Sequence, residues 1–74
     1  MIYTDNVHLV ADSLEELHEF ARKLGLSRNY FQGTRRGHPH YDLTTNRMLY
    51  KAIANGAKMT DRRTILQKSK KLLA

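Results

Sequence analysis

The chain has 74 residues and no cysteine, and this combination is what most constrains its folding. At about 25 cal/mol per Å² of buried apolar surface, set against about 1.5 kcal/mol of ordering entropy per residue, so short a chain is only marginally stable. Without cysteine it lacks the disulfides and thiolate metal sites that stabilise many small domains. We therefore expect a single domain over residues 1–74, an intracellular reducing environment, and added stability from homo-oligomerisation.

From the sequence we expect neither a membrane anchor nor an export signal. No apolar run reaches the roughly 18 residues that cross a bilayer, and the amino terminus lacks a basic segment followed by an apolar one. We expect a soluble protein with no membrane partner. It would stay in the cytoplasm, or in the host cytoplasm if a phage encodes it.

Charge is distributed unevenly along the chain. Residues 1–27 have a net charge of −3 and residues 28–74 a net charge of +9, which together give the formal +6. Such a basic second part indicates an anionic partner, either a nucleotide, a nucleic acid or an acidic protein surface. The alternative is that the basic residues only keep a small protein soluble.

The first third of the chain predicts a hairpin followed by a helix. Ile2–Thr4 and residues 7–10 are β-branched and apolar enough for strands, with Asp5 and Asn6 in the turn between them. Residues 13–16 read as a capping box, in which Ser13 and Glu16 would each bond the other's backbone amide. Gly25 would end this helix in a left-handed conformation.

The rest of the chain predicts two more helices around a polar loop. The loop spans residues 27–43, and the second helix starts at Thr44 or Thr45 and stops at Gly56. A short strand over residues 57–60 precedes a third helix over 61–73, capped by Thr60 and basic on one face. The predicted fold is a small α+β domain, β-β-α-loop-α-β-α, with a sheet of two or three strands.

Metal ligation is one chemistry open to the loop, because His38, His40 and Asp42 alternate and would share one side of an extended segment. His8 or His18 would have to complete such a site. We expect no resident metal or cofactor, because histidines without thiolates or a helical HExxH pattern are usually plain polar residues.

Anion binding is favoured by the start of the second helix. Free backbone amides carry partial positive charge there, so Arg47 in the first turn is mildly unfavourable unless an anion offsets it. Asn46 would join it, with His40 and Tyr41 just upstream to form hydrogen bonds or, for Tyr41, to stack on a nucleobase. The alternative for Arg47 is a surface pair with Asp42.

Aromatic residues adjacent to basic residues also favour binding of an anionic ligand. Tyr30 and Phe31 precede Arg35 and Arg36, a composition suited to stacking on a nucleobase and holding its phosphate. The alternative for the two aromatic residues is that they close the core over the first helix. The basic face of the third helix could follow a nucleic-acid backbone or be merely solvated.

Four segments carry a family resemblance: residues 8–12 (HLVAD), 16–21 (ELHEFA), 40–44 (HYDLT) and 54–57 (ANGA). Together they resemble the short bacterial and phage proteins of the domain of unknown function 4031 family. The resemblance implies a shared polar pocket but no assigned activity. The family-pattern positions are His8, Asp12, His18, His40, Tyr41, Asp42 and Arg47.

The leading functional hypothesis is a binding protein that captures a phosphate-containing small molecule, such as a nucleotide signal of host immunity if the gene is viral. The alternatives are sequence-nonspecific nucleic-acid binding, inhibition of a host protein, and a metal-dependent phosphodiesterase, so enzymatic activity stays open. All the candidate residues would converge on one electropositive hollow. The candidate ligand-binding residues are His8, His18, Tyr30, Arg35, Arg36, His40, Tyr41, Asp42, Asn46 and Arg47.

Overall fold

A computed structural model of the protein describes residues 1–32 and 39–72. Three α-helices and five short strands form within these residues, with a 3₁₀ turn after the first helix. In chain order the elements are β1 (Ile2–Thr4), β2 (His8–Ala11), α1 (Leu14–Leu24), the 3₁₀ turn (Arg28–Tyr30), β3 (Phe31–Gln32), β4 (His40–Asp42), α2 (Asn46–Ala54), β5 (Lys58–Met59) and α3 (Arg62–Lys71).

The strands form one mixed sheet in the order β3-β4-β2-β1-β5. β1 and β5 pair in parallel, and the other neighbours pair antiparallel. The α+β class, the three helices and the opening hairpin are confirmed, but the expected two or three strands are too few. The missed strands β3 and β4 have two and three residues, too short to show the alternating pattern that identifies a strand.

Helices lie on both faces of the sheet. Leu9, Ala11 and Tyr41 point to the face that α1 covers, and they pack with Leu17 and Leu24 of that helix in the hydrophobic core. Ala52 brings α2 into the same core.

The opposite face of the sheet is covered by α3. Lys68 lies over the ring of Tyr3, with its Nζ 4.7 Å from the ring centroid, and it also contacts Asp12. Ser69 donates a buried hydrogen bond of 2.9 Å to the carbonyl oxygen of Pro39. These contacts hold α3 against this face of the sheet.

The boundaries of α1 follow the sequence. The Ser13 hydroxyl accepts from the amide of Glu16 at 3.1 Å, and Gly25 ends the helix at φ 85° while the Leu26 amide donates back to Ala21. The second half of the predicted capping box is wrong. The carboxylate of Glu16 contacts the amino-terminal ammonium of Met1 instead, because the hairpin brings the chain start beside the helix.

Two cap assignments needed the structure. Thr45 caps α2, accepting from the amide of Met48 at 3.2 Å, so Thr45 and not Thr44 is the start. For α3 the predicted cap Thr60 is wrong, because the amide of Thr60 donates to the carbonyl of Thr4 in the sheet. Asp61 caps this helix and accepts from Thr64 at 2.8 Å.

Within the described residues, no helix is long and apolar enough to cross a bilayer.

Candidate functional site

The strand register divides the predicted site residues between the two faces of the sheet. His8 pairs with Asp42, and Leu9 pairs with Tyr41. Because successive side chains along a strand point to opposite faces, His8, His40 and Asp42 lie on the face of α3, whereas Tyr41 lies on the face of α1. The expectation that all these residues line one hollow is therefore wrong.

The first group, which we call the strand cluster, consists of His8, His40 and Asp42. His40 Nε2 lies 3.2 Å from Asp42 Oδ1, and the rings of His8 and His40 meet edge to face with centroids 4.9 Å apart. One nitrogen of each histidine and one oxygen of Asp42 all lie within 4.8 Å of one another. All three residues are partly exposed, so the cluster is open to solvent on one side.

Asp5 orients His8 from the hairpin turn. Its carboxylate lies 3.0 Å from His8 Nδ1 and accepts from the amides of His8 and Val7 at 2.8 and 3.1 Å. Burial by itself would raise the pKa of Asp5, but these hydrogen bonds outweigh it and hold the pKa below its ordinary value. Asp5 is thus an anionic support for one histidine ring.

The second group lies on the face of α1, where His18 meets Tyr41. His18 Nδ1 is 2.8 Å from the Tyr41 hydroxyl, and the His18 ring packs edge-on against Phe31 with centroids 4.6 Å apart. Tyr41 is only 1% exposed, so its hydroxyl needs this partner and its ring has no face open to a nucleobase. From the sequence we expected Tyr41 to stack on a nucleobase, and this burial excludes such stacking.

Electrostatics at this second group favour neutral side chains. Desolvation lowers the pKa of His18, and the nearby positive charge of Arg28 lowers it further. Desolvation raises the pKa of Tyr41, and Arg28 opposes that shift only in part. His18 is therefore a neutral imidazole at neutral pH, able to donate through one nitrogen and accept through the other.

Beside His18 lies an open hollow of about 490 Å³, which we call the α1 hollow. Its floor includes Tyr41 and Leu26, and its rim is charged. Arg22 is paired with Glu19 at 2.7 Å, whereas no carboxylate of residues 1–32 or 39–72 forms a salt bridge with Arg28. The residues that line it are Glu15, His18, Glu19, Arg22, Leu26, Arg28 and Tyr41.

The other predicted residues lie apart from both groups or outside the described part of the chain. Asn46 and Arg47 are exposed in the first turn of α2, where neither side chain makes a hydrogen bond or ion pair with a described residue. Asp42 pairs with His40, not with Arg47. Tyr30 is 48% exposed in the 3₁₀ turn. Arg35, Arg36 and His38 lie outside the described residues.

Five polar residues were missed by the sequence analysis: Asp5 beside the strand cluster, and Glu15, Glu19, Arg22 and Arg28 in the α1 hollow. Asp5 has a readable signal, since an aspartate that opens a turn commonly accepts from amides two or three residues on. The charged residues of the hollow have no such signal in the sequence. Arg28 reaches the hollow only because the chain reverses at Gly25, and Glu15 only because α1 packs with that side toward the rim.

Comparison with known proteins places this arrangement in a family. No curated protein and no solved structure matches the chain. A family model described as "Protein of unknown function (DUF4031)" matches residues 4–72, a range that includes both the strand cluster and the α1 hollow. The resemblance in the four sequence segments is thus confirmed, and the chain belongs to the DUF4031 family.

Proposed function

We propose that this protein binds a phosphate-containing small molecule of the nucleotide class in the α1 hollow. The observation that carries the proposal is Arg28. Arg28 lines the hollow, and no carboxylate of the described residues forms a salt bridge with it. A guanidinium presents five donors in a planar fork that matches two oxygens of a phosphate, so Arg28 is the natural phosphate contact.

His18 adds a neutral donor beside Arg28. When the Tyr41 hydroxyl donates to Nδ1, the imidazole proton is on Nε2, and that N–H remains for a ligand. The depressed pKa of His18 supports this neutral form. The phosphate would then meet one fixed cation and one uncharged donor, which permits release as well as capture.

The remainder of the hollow suits a nucleoside better than a bare anion. Glu15 and Glu19 line it too, and their negative charges oppose a free phosphate ion. A carboxylate can instead accept from the exocyclic amino group of a nucleobase.

Capture of such a ligand would be sufficient for a biological effect. If the gene is carried by a phage, the specific form of the proposal is that the protein sequesters a nucleotide signal of host immunity. What supports this version, by analogy and not by a contact in the fold, is the small size of the chain and the positive charge of Arg28 in the hollow.

The direct test is calorimetric titration of the protein with cyclic dinucleotides, cyclic trinucleotides, ADP-ribose and inorganic phosphate. We expect one of the nucleotides to bind and inorganic phosphate to bind far more weakly. Arg28→Gln should weaken nucleotide binding about tenfold or more, because a hydrogen bond to a charged group contributes about 1.5–3 kcal/mol.

Arg62→Gln is the matched control, since it removes the same charge from α3 on the other face of the sheet. It should leave nucleotide affinity unchanged. No binding of any nucleotide near millimolar concentration, or equal affinity of the Arg28 variant, would refute the proposal. Oligonucleotide binding that falls steeply with salt, without mononucleotide binding, would favour the nucleic-acid alternative.

A further inference from the structure

We infer that the strand cluster of His8, His40 and Asp42 is a binding site for a divalent transition-metal ion of the zinc type. This site is distinct from the α1 hollow, because its side chains point to the other face of the sheet. It assigns a second binding activity to the chain, beyond the proposed nucleotide capture.

Paired strands hold the three donors in place. His40 and Asp42 are two residues apart on β4, so their side chains emerge on the same face. His8 lies on β2 directly opposite Asp42 in the antiparallel register. Backbone hydrogen bonding of the sheet therefore fixes the three attachment points, and only side-chain rotation is needed to change the spacing of the ligand atoms.

The distances are those of donors that can share an ion. Ligand atoms about 2.0–2.1 Å from a tetrahedral zinc ion lie about 3.3 Å from one another. His40 Nε2 and Asp42 Oδ1 are 3.2 Å apart, close to that spacing. The full set of three ligand atoms lies within 4.8 Å, so small adjustments of these partly exposed side chains would bring all three to one ion.

Asp5 supplies the support that metal-binding histidines usually have. Its carboxylate accepts from His8 Nδ1 at 3.0 Å, which places the proton on Nδ1 and leaves the Nε2 lone pair for a metal. The carboxylate is itself held by the amides of His8 and Val7. A carboxylate and histidine in this relation fix both the tautomer and the orientation of the ring.

The donor set indicates the class of ion and the kind of site. Two imidazoles and one carboxylate suit zinc and its first-row neighbours better than calcium or magnesium, which prefer oxygen ligands. Three protein ligands leave at least one coordination position for water or an anionic ligand, as in metal sites that act on or hold a substrate. The partial exposure of all three residues leaves that position accessible.

The test uses the full chain without an affinity tag, stripped with a chelator and titrated with Zn²⁺ by calorimetry and with Co²⁺ by visible absorption. We expect one ion per chain and a cobalt spectrum with nitrogen and oxygen ligands. His40→Gln and Asp42→Asn should each weaken binding at least tenfold. Asp5→Asn should weaken it about tenfold to a hundredfold, because outer supports of metal ligands have effects of this size.

His18→Gln is the matched control, a histidine on the opposite face of the sheet. It should retain the metal affinity of the unmodified chain. Circular dichroism establishes that each variant is folded, and Asp42→Asn, at a partly exposed position, serves if His40→Gln does not fold.

Binding of no ion by the stripped protein would overturn the inference. Unchanged affinity in folded His40 and Asp42 variants would overturn it as well. The outcome is separate from that of the nucleotide proposal, since Arg28→Gln should leave metal affinity unchanged and Asp42→Asn should leave nucleotide affinity unchanged.

Discussion

At the scale of single residues, the chain uses histidine in two different environments. His8 and His40 stand on the sheet with carboxylates beside them, Asp5 for one and Asp42 for the other. His18 instead satisfies the buried hydroxyl of Tyr41 and has the positive charge of Arg28 nearby. Acidic neighbours suit a cation or a metal ion, whereas a basic neighbour and burial keep an imidazole neutral.

This difference predicts a pH dependence of stability that involves His18. The pKa of His18 in the folded chain is below its ordinary value of 6.5. At a pH between these two pKa values, the unfolded chain therefore binds more protons than the folded chain. The free energy of unfolding therefore falls as the pH drops from the pKa of His18 in the unfolded chain toward its pKa in the folded chain. Above the pKa in the unfolded chain, the contribution of His18 to stability is fully present. Thermal unfolding from about pH 7.5 to about pH 5.5 measures the slope.

His18→Gln should flatten this slope, even though losing the contact with Tyr41 lowers stability at every pH. The comparison between the two proteins cancels the contributions of the titratable groups that they share. Identical slopes for the two proteins would show that His18 does not contribute.

At the scale of elements, side-chain caps decide where each helix begins. Ser13, Thr45 and Asp61 each accept from an amide three residues on, at the starts of α1, α2 and α3. The sequence identified the first of these, left the second between two adjacent threonines and missed the third by one residue. A threonine pair contains two equivalent hydroxyls, and only the extended backbone at Thr45 shows which one caps.

The adjacent threonines provide a matched pair of variants. Thr45→Ala should lower the free energy of unfolding by about 1 kcal/mol, because it removes the N-cap of α2. Thr44→Ala, which removes the same hydroxyl from an exposed neighbour, should have a much smaller effect. Urea denaturation measures both, and an equal loss in the two variants would contradict the assignment of the cap.

At the scale of the whole molecule, α3 closes one face of the sheet with the buried Ile65 and with polar contacts of Ser69 and Lys68. Ser69 is 1% exposed, and its hydroxyl joins the last helix to the carbonyl of Pro39 next to β4. Lys68 adds its contacts with Asp12 and Tyr3. Because Lys68 is engaged in these contacts, only the other basic residues of α3 are left for any contact with a nucleic acid.

Ser69→Ala tests how firmly α3 is held. The variant leaves the Pro39 carbonyl without its donor in a buried position, so we expect a loss of about 1–3 kcal/mol in the free energy of unfolding. Gln67→Ala on the exposed side of the same helix should change stability little. A negligible effect of the Ser69 variant would mean that α3 is held by other contacts.

Homo-oligomerisation stays a prediction at this scale. Tyr50 and Ile53 lie one turn apart on α2 and are both exposed, as are Met59 and Leu66 elsewhere. Light scattering on the purified protein measures the state directly.

The sequence by itself determined the features that depend on neighbouring residues. Helix α1 with its Ser13 cap and Gly25 terminus, the hairpin turn at Asp5 and Asn6, and the membership of the family could all be read along the chain. Each depends on interactions over a few residues, or on a whole segment pattern, so no knowledge of long-range packing was needed.

Only the tertiary structure decided how the candidate residues group. The sequence already placed His40 and Asp42 on one side of an extended segment, but only the pairing of β4 with β2 shows which face of the sheet that side takes and brings His8 opposite Asp42. A shift of one residue in this register would exchange the two faces, and the sequence of so short a strand does not specify which register forms. The division into a strand cluster and an α1 hollow is therefore a consequence of long-range backbone pairing.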